Sequence, residues 1–262
     1  MLNKVPEVTI YFWVIKVLCT TVGETAADYL NATLGFGLDN TSYVMSAALI
    51  IALFFQFRAR RYVPGLYWLS VVLISIVGTL ISDKLADDVG VPLQTTTILF
   101  AALLAMTFAT WYACERTLSI HTIVTGRRES FYWLAILFTF ALGTSAGDLF
   151  DEQLGVGYWP TVGIVALAIA IIAAAHYGLR LNAVFAFWAA YILTRPLGAS
   201  IGDGMSQPAT NGGLGLGTTG TSMIFLGIIL ALVLFLSVTK VDQSPAVAVK
   251  PDGELEPESV SS

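Results

Sequence analysis

The residues most able to do chemistry in this sequence are ionisable ones placed inside long apolar runs. Lys16, Glu24 and Arg195 lie within stretches otherwise built of aliphatic and aromatic side chains, and Asp28, Asp83, Asp148 and Asp203 stand toward the ends of four such stretches. A charge at the centre of a bilayer costs about 2.5–3.5 kcal/mol on insertion scales, so such residues mark places where groups pair, ligate or carry ions. Carboxylate oxygens suit hard divalent cations such as magnesium or manganese, and a carboxyl group can also exchange protons. Glu24 and Asp28, one helical turn apart, are the best candidates to hold a metal. The hydroxyls of Thr20, Thr79 and Thr144 can complete a polar path. Lys16 and Arg195 are expected to be internal counter-ions, neutralising Glu24.

Two roles stay open for the four aspartates. Each can cap or order the acidic loop that follows it, or each can be a ligand on a transport path. Recurrence in every copy suits the first role, because a fold-defining cap is needed equally in each. Glu24 differs: its counterparts are Thr79, Thr144 and Ala199, so its carboxylate is particular to one unit. Pro196 directly after Arg195 removes a backbone donor, which implies either a tolerated kink or a break in that span.

The elements that must position these groups recur four times. Trp13, Trp68, Trp133 and Trp188 each open an apolar span, and Gly23, Gly78, Gly143 and Gly198 follow at one fixed offset. The aspartates follow at a second fixed offset, and Gly35, Gly90 and Gly155 at a third; the fourth copy carries a longer Gly- and Thr-rich loop there. Steps of four residues keep to one helix face. They give the lines Lys16-Thr20-Glu24-Asp28, Val71-Ser75-Thr79-Asp83, Ile136-Phe140-Thr144-Asp148 and Tyr191-Arg195-Ala199-Asp203, which are expected to face a common interior. The tryptophans fall where indole rings anchor helices at a membrane interface.

Composition agrees with a membrane protein. Of 262 residues, 56% are hydrophobic and 12% charged, against about 25% charged in soluble domains. A spanning helix needs about 20 mostly apolar residues, and eight segments qualify: 9–30, 41–57, 64–83, 94–114, 131–150, 160–178, 183–203 and 219–239. The first reads as a retained span, since no small-residue cleavage site follows a short apolar core. Lys4, Arg58, Arg60, Arg61, Arg116, Arg127, Arg128, Arg180 and Lys240 flank one side. Asp39, Asp87, Asp88, Asp151 and Glu152 flank the other, where Lys84 is the one basic residue. That asymmetry predicts both termini in the cytoplasm.

The fold class is therefore an all-α membrane protein: eight transmembrane helices from four tandem, parallel two-helix repeats, pseudo-symmetric about the membrane normal. The units are 1–63, 64–130, 131–182 and 183–240, followed by a disordered acidic tail over 241–262. Cys19 and Cys114 lie in apolar stretches and read as small buried side chains. His121 and His176 are isolated, and neither is assigned to a metal. No serine-hydrolase or zinc-protease motif is present, so no enzyme and no cofactor is expected. The lack of a basic arm makes nucleic acid an unexpected partner.

The motif Trp13-x9-Gly23-Glu24-x3-Asp28 and its three counterparts, over residues 10–240, resemble a bacterial integral membrane family with four tandem two-span repeats, each with a characteristic tryptophan (the domain-of-unknown-function 347 repeat). The resemblance implies a bacterial membrane location and no defined activity. The expected function is transport of a small ion, a divalent cation or one coupled to protons, through a cavity lined by acids of the odd-numbered spans. A non-transporting binding, sensing or scaffold protein is the alternative. Expected partners are the lipid bilayer, a small ion or solute, and a second copy of the chain.

Overall fold

A computed structural model describes residues 3–243, apart from the side chains of Ala32 and Glu152. Eight long helices make up the described chain, which contains no strand: α1 (Ile10–Asp28), α2 (Gly37–Arg58), α3 (Pro64–Asp83), α4 (Leu93–Glu115), α5 (Gly126–Asp148), α6 (Tyr158–Leu179), α7 (Ala183–Ser206) and α8 (Gly217–Thr239). All eight are long and apolar enough to cross a bilayer. The fifth begins earlier than its apolar run suggests, because Thr125 caps it by accepting a bond from the Arg128 amide and so draws Arg127, Arg128 and Glu129 into its first turns.

The odd-numbered helices form a closed inner ring, α1 against α3, α3 against α5, α5 against α7 and α7 against α1, and each even-numbered helix packs outside the next unit's odd helix, with α8 returning to α1. Most of the large exposed apolar residues, such as Ile50, Phe54, Ile98, Met106, Ile164, Leu167, Leu230 and Leu234, fall on the even helices, with a few, such as Ile10, Leu69 and Phe185, on the odd ones. That is the distribution a lipid-facing exterior requires.

The repeated glycines explain how closely the ring packs. A side chain at Gly23 would strike Ser75, at Gly78 Phe140, at Gly143 Arg195, and at Gly198 Thr20. Each obstructing residue stands three positions before the glycine of its own unit. One rule of contact therefore operates four times around the ring, small residues letting neighbouring helices approach.

At the aspartate end, α1, α3 and α5 each run straight into a π-helical turn, Tyr29–Thr33, Lys84–Asp88 and Leu149–Gln153. Gly35, Gly90 and Gly155 then take positive φ (67°, 75° and 64°) and reverse the chain, which is the physical reason for that third repeated glycine. In α7 the helix passes unbroken through Pro196, so of the two readings of that proline, tolerated within the helix or breaking it, the first is the one found.

The opposite end is sealed by aromatic rings. Trp68, Trp133 and Trp188 are buried and pack with Phe12, Tyr67, Tyr132 and Phe187. The expectation of interfacial anchors is thereby corrected for these three, whose indoles face protein; Trp13 is half-buried. Residues 3–7 strap across this end. The Asn3 carbonyl accepts from the Tyr62 amide at 3.2 Å, the Lys4 amide donates to Ile123 at 3.2 Å, and the Glu7 amide donates to Asp242 at 2.9 Å. Lys4 Nζ meets Glu129 at 2.7 Å and donates to the Phe57 carbonyl at 3.0 Å. Asp242, expected within a disordered tail, is buried and accepts from the Tyr62 hydroxyl at 2.6 Å. The rest of that tail, from residue 244, lies outside the described residues. Cys114 is exposed, contrary to the expectation of a buried thiol.

Candidate functional site

Because every odd helix carries its polar line at the same register, the ring stacks those lines into layers. From the aromatic end upward they are Lys16, Val71, Ile136 and Tyr191; then Thr20, Ser75, Phe140 and Arg195; then Glu24, Thr79, Thr144 and Ala199; and at the top the four aspartates. The side chains of the lower two layers are fully buried, and the third layer is at most 6% exposed. Asp28, Asp83, Asp148 and Asp203 are half-buried.

Above the third layer opens a cavity of 410 Å³, lined by Glu24, Asp28, Asp83, Asp87, Asp148 and Asp203, with Asn31 and Gln207. Six carboxylates thus share one recess: Glu24, the aspartate at the repeated position of every unit, and Asp87 as a second from unit two. None of Asp28, Asp83 and Asp148 makes a side-chain capping bond to the π turn after it. Repulsion among like charges at this spacing favours any positive charge that enters.

Beneath the cavity, behind Glu24 of its lining, lies a buried guanidinium. Arg195 Nη2 donates to Glu24 Oε2 at 2.7 Å, to Thr144 Oγ1 at 2.6 Å and to Thr79 Oγ1, and Nη1 reaches the Thr20 carbonyl at 3.4 Å. One side chain from the fourth unit therefore ties together the other three. The hydroxyls can accept because each donates to its own helix, Thr79 to the Ser75 carbonyl and Thr144 to that of Phe140, both at 3.2 Å. Ala199, the fourth member of the layer, leaves room for the guanidinium. Breaking such a buried pair by removing one partner costs about 3–5 kcal/mol, since the other charge is left unmatched.

Of the expected path residues, Glu24 and the four aspartates come together in the cavity, while Thr79 and Thr144 meet Arg195 in the buried layer below and do not line it. Thr20 does not reach the cavity; its hydroxyl lies between the Val17 and Thr194 carbonyls, at 2.5 and 3.2 Å. Lys16 does not neutralise Glu24 and is not its counter-ion. Its ammonium makes no hydrogen bond and rests over the rings of Phe140 and Tyr191, 4.1 and 4.3 Å from their centroids. Among the described residues no group of three His, Cys, Asp or Glu side chains is gathered closely enough to hold a metal ion. Glu24 is moreover committed to Arg195, so Glu24 and Asp28 do not make a ready metal cage.

Asn31, Asp87 and Gln207 were not foreseen in the site. Asn31 and Asp87 are carried back over the cavity by the π turns, whose extra residue per turn has no signature in the periodicity. Gln207 follows the end of α7, where the sequence reads as loop.

Compared with known proteins, the chain matches in four places the family described as Repeat of Unknown Function (DUF347), over residues 11–62, 66–117, 131–181 and 186–242. No curated protein and no solved structure matches it.

Proposed function

The chain belongs to this family of repeats, and for it we propose transport of a small cation across the membrane, a divalent ion such as manganese or magnesium, or one coupled to protons. The observation that supports this reading is the convergence of the repeat aspartate of every unit on a single cavity that Glu24 also lines, with Arg195 paired to Glu24 beneath it. A cation drawn in by the carboxylates competes with Arg195 for Glu24. Releasing the guanidinium opens the third layer, so the ion pair serves as a gate that the substrate itself unlocks. A recess of 410 Å³ has room for an ion that keeps part of its water shell, as magnesium does.

The excess of lysine and arginine at the aromatic end supports, for this reading, a cytoplasmic position of that end and of both termini, with the acidic mouth on the outer face of a bacterial inner membrane. The test is manganese entry into proteoliposomes followed by a trapped quenchable dye. Wild type should carry the ion, and Glu24→Gln should lose most of the flux. Equal, background-level signals from wild type and empty vesicles would end the proposal.

A second reading is a binding or sensing membrane protein that never opens its lower half; the tightly packed aromatic end favours it. Manganese binding without flux would select that reading.

A further inference from the structure

We propose that the groove between α6 and the seam of α1 with α7, at the aromatic end, binds one membrane phospholipid with an anionic headgroup, its acyl chain in the groove and its phosphate at a basic rim. The inference stands apart from the transport reading and concerns a face of the ring that the acidic cavity does not reach.

The groove encloses 560 Å³ between apolar walls: Ile10 and Trp13 of α1, Ile169 and Ile172 of α6, and Ala186 and Ala190 of α7. Its lining runs from His176 back to Ile169 on α6 and from Ala183 to Ala190 on α7, about two turns, or about 10 Å, into the span. Hydrocarbon rather than water is the medium at that depth, and an empty apolar groove forfeits dispersion contacts along its walls. Helix α6 packs mainly on α7 and buries little else of its surface, so an acyl chain beside it adds contacts that the protein does not supply.

The groove also lies where the chain departs from its own repeat. The connections into α3 and α7 are short, residues 59–63 and 180–182, whereas residues 116–125 lead into α5. The longer segment is held across the end of the ring, where the Leu118 carbonyl accepts from Trp188 Nε1 at 2.9 Å. It contributes Ser119 and His121 to the groove, a wall for which the shorter connections have no residues.

The rim selects the headgroup. His176 Nδ1 meets the Leu181 carbonyl at 2.8 Å, which fixes its ring at the mouth. Exposed Arg180 adjoins Leu181 and ends α6, and exposed Lys240 ends α8, the helix packed on α1. The acids of the neighbouring strap have partners: Glu7 stands 3.5 Å from His121 Nδ1, and Asp242 accepts from the Tyr62 hydroxyl at 2.6 Å. A choline headgroup would set its own cation against Arg180 and Lys240. Basic residues between the ends of spans attract a net negative lipid instead.

The experiment reconstitutes the full-length protein in phosphatidylcholine vesicles that carry, as a minor component, phosphatidylglycerol or phosphatidylcholine brominated on its acyl chains. Emission from Trp13, taken as wild type minus Trp13→Phe, reads contact with bromine. Brominated phosphatidylglycerol should quench Trp13 at lower mole fraction than brominated phosphatidylcholine, by about fivefold for each basic residue that meets the headgroup. Arg180→Gln, a change at an exposed position, should cut that advantage about fivefold. Ala190→Leu, which fills the groove, should abolish the preference, and its folding is checked by its thermal midpoint. Equal quenching by the two lipids in wild type means ordinary boundary contact and overturns the proposal. An advantage that Arg180→Gln leaves unchanged overturns the assigned rim. Quenching by neither lipid overturns the proposal as well, because protein then fills the groove, either the C-terminal segment of this chain or a second copy.

Discussion

Replacing Gly78 by alanine tests the ring directly. A Cβ at this position would lie 2.6 Å from Phe140 Cβ and 3.2 Å from the Ala141 backbone nitrogen. Carbon atoms in contact prefer about 3.5–4.0 Å, and neither obstacle is the free end of a flexible side chain. Helices α3 and α5 must therefore part by about 1 Å, for an overpacking cost of about 1–3 kcal/mol. The gain in helix propensity from glycine to alanine offsets at most about 1 kcal/mol. Parting the helices also draws Thr79 and Thr144 away from the shared guanidinium, and hydrogen bonds to a charged group contribute about 1.5–3 kcal/mol. A net loss of about 1.5–5 kcal/mol is expected. Gly227, in the middle of α8 with nothing within 4 Å of a built Cβ, is the control: alanine there should stabilise by up to about 1 kcal/mol. The assay is SDS-induced unfolding of the purified protein, read by tryptophan fluorescence, since Trp68 and Trp133 lie buried among the rings at the aromatic end. A Gly78→Ala midpoint equal to or above wild type would refute the close approach of α3 and α5.

Other outcomes follow from the same packing. Arg195→Met should destabilise by about 3–5 kcal/mol by orphaning Glu24, and Arg195→Met combined with Glu24→Gln should recover much of that loss in the same unfolding assay. Lys4→Met strands the Glu129 carboxylate, which is 1% exposed; faster amide exchange over residues 3–9 should reveal the loosened strap, and adding Glu129→Gln should slow it again. Burial holds the Asp242 carboxyl above its ordinary value, with the Tyr62 hydrogen bond acting in the opposite direction. A folded value above the unfolded one means that the stabilisation is complete in acid and is lost as pH rises through the folded value. Exchange at the Glu7 amide should therefore quicken, beyond its intrinsic pH dependence, from about pH 4 upward, and Asp242→Asn should flatten that excess.

Much of this architecture is written in local spacing. Eight apolar runs give eight helices, and the four-residue steps from Lys16, Val71, Ile136 and Tyr191 identify the face that turns inward, because a helix repeats its faces whatever surrounds it. The gathering of the aspartates follows from that register once the ring closes. What stayed hidden depends on partners far apart in sequence. Lys16 next to Glu24 on one stripe reads as an ion pair, yet Arg195, more than 170 positions away, takes the carboxylate and leaves the lysine to the rings. Trp68 and Trp133 sit where an interfacial belt belongs, and only the crossing of neighbouring helices buries them. Lys4 and Asp242 lie in polar segments that look solvated, but the strap folds them under. The π turns leave no mark because one additional residue in a turn does not disturb an apolar run that has already ended.

The glycine contacts run head to tail and close after four steps, which is the arrangement of a cyclic tetramer carried on one polypeptide. Four separate identical subunits would be obliged to put the same side chain four times at every level: four arginines facing one another, or four glutamates. Joining the copies end to end lifts that obligation. It allows a single guanidinium to meet one carboxylate and two hydroxyls while an alanine makes space, so the chemistry of the centre depends on the fusion having let the copies diverge.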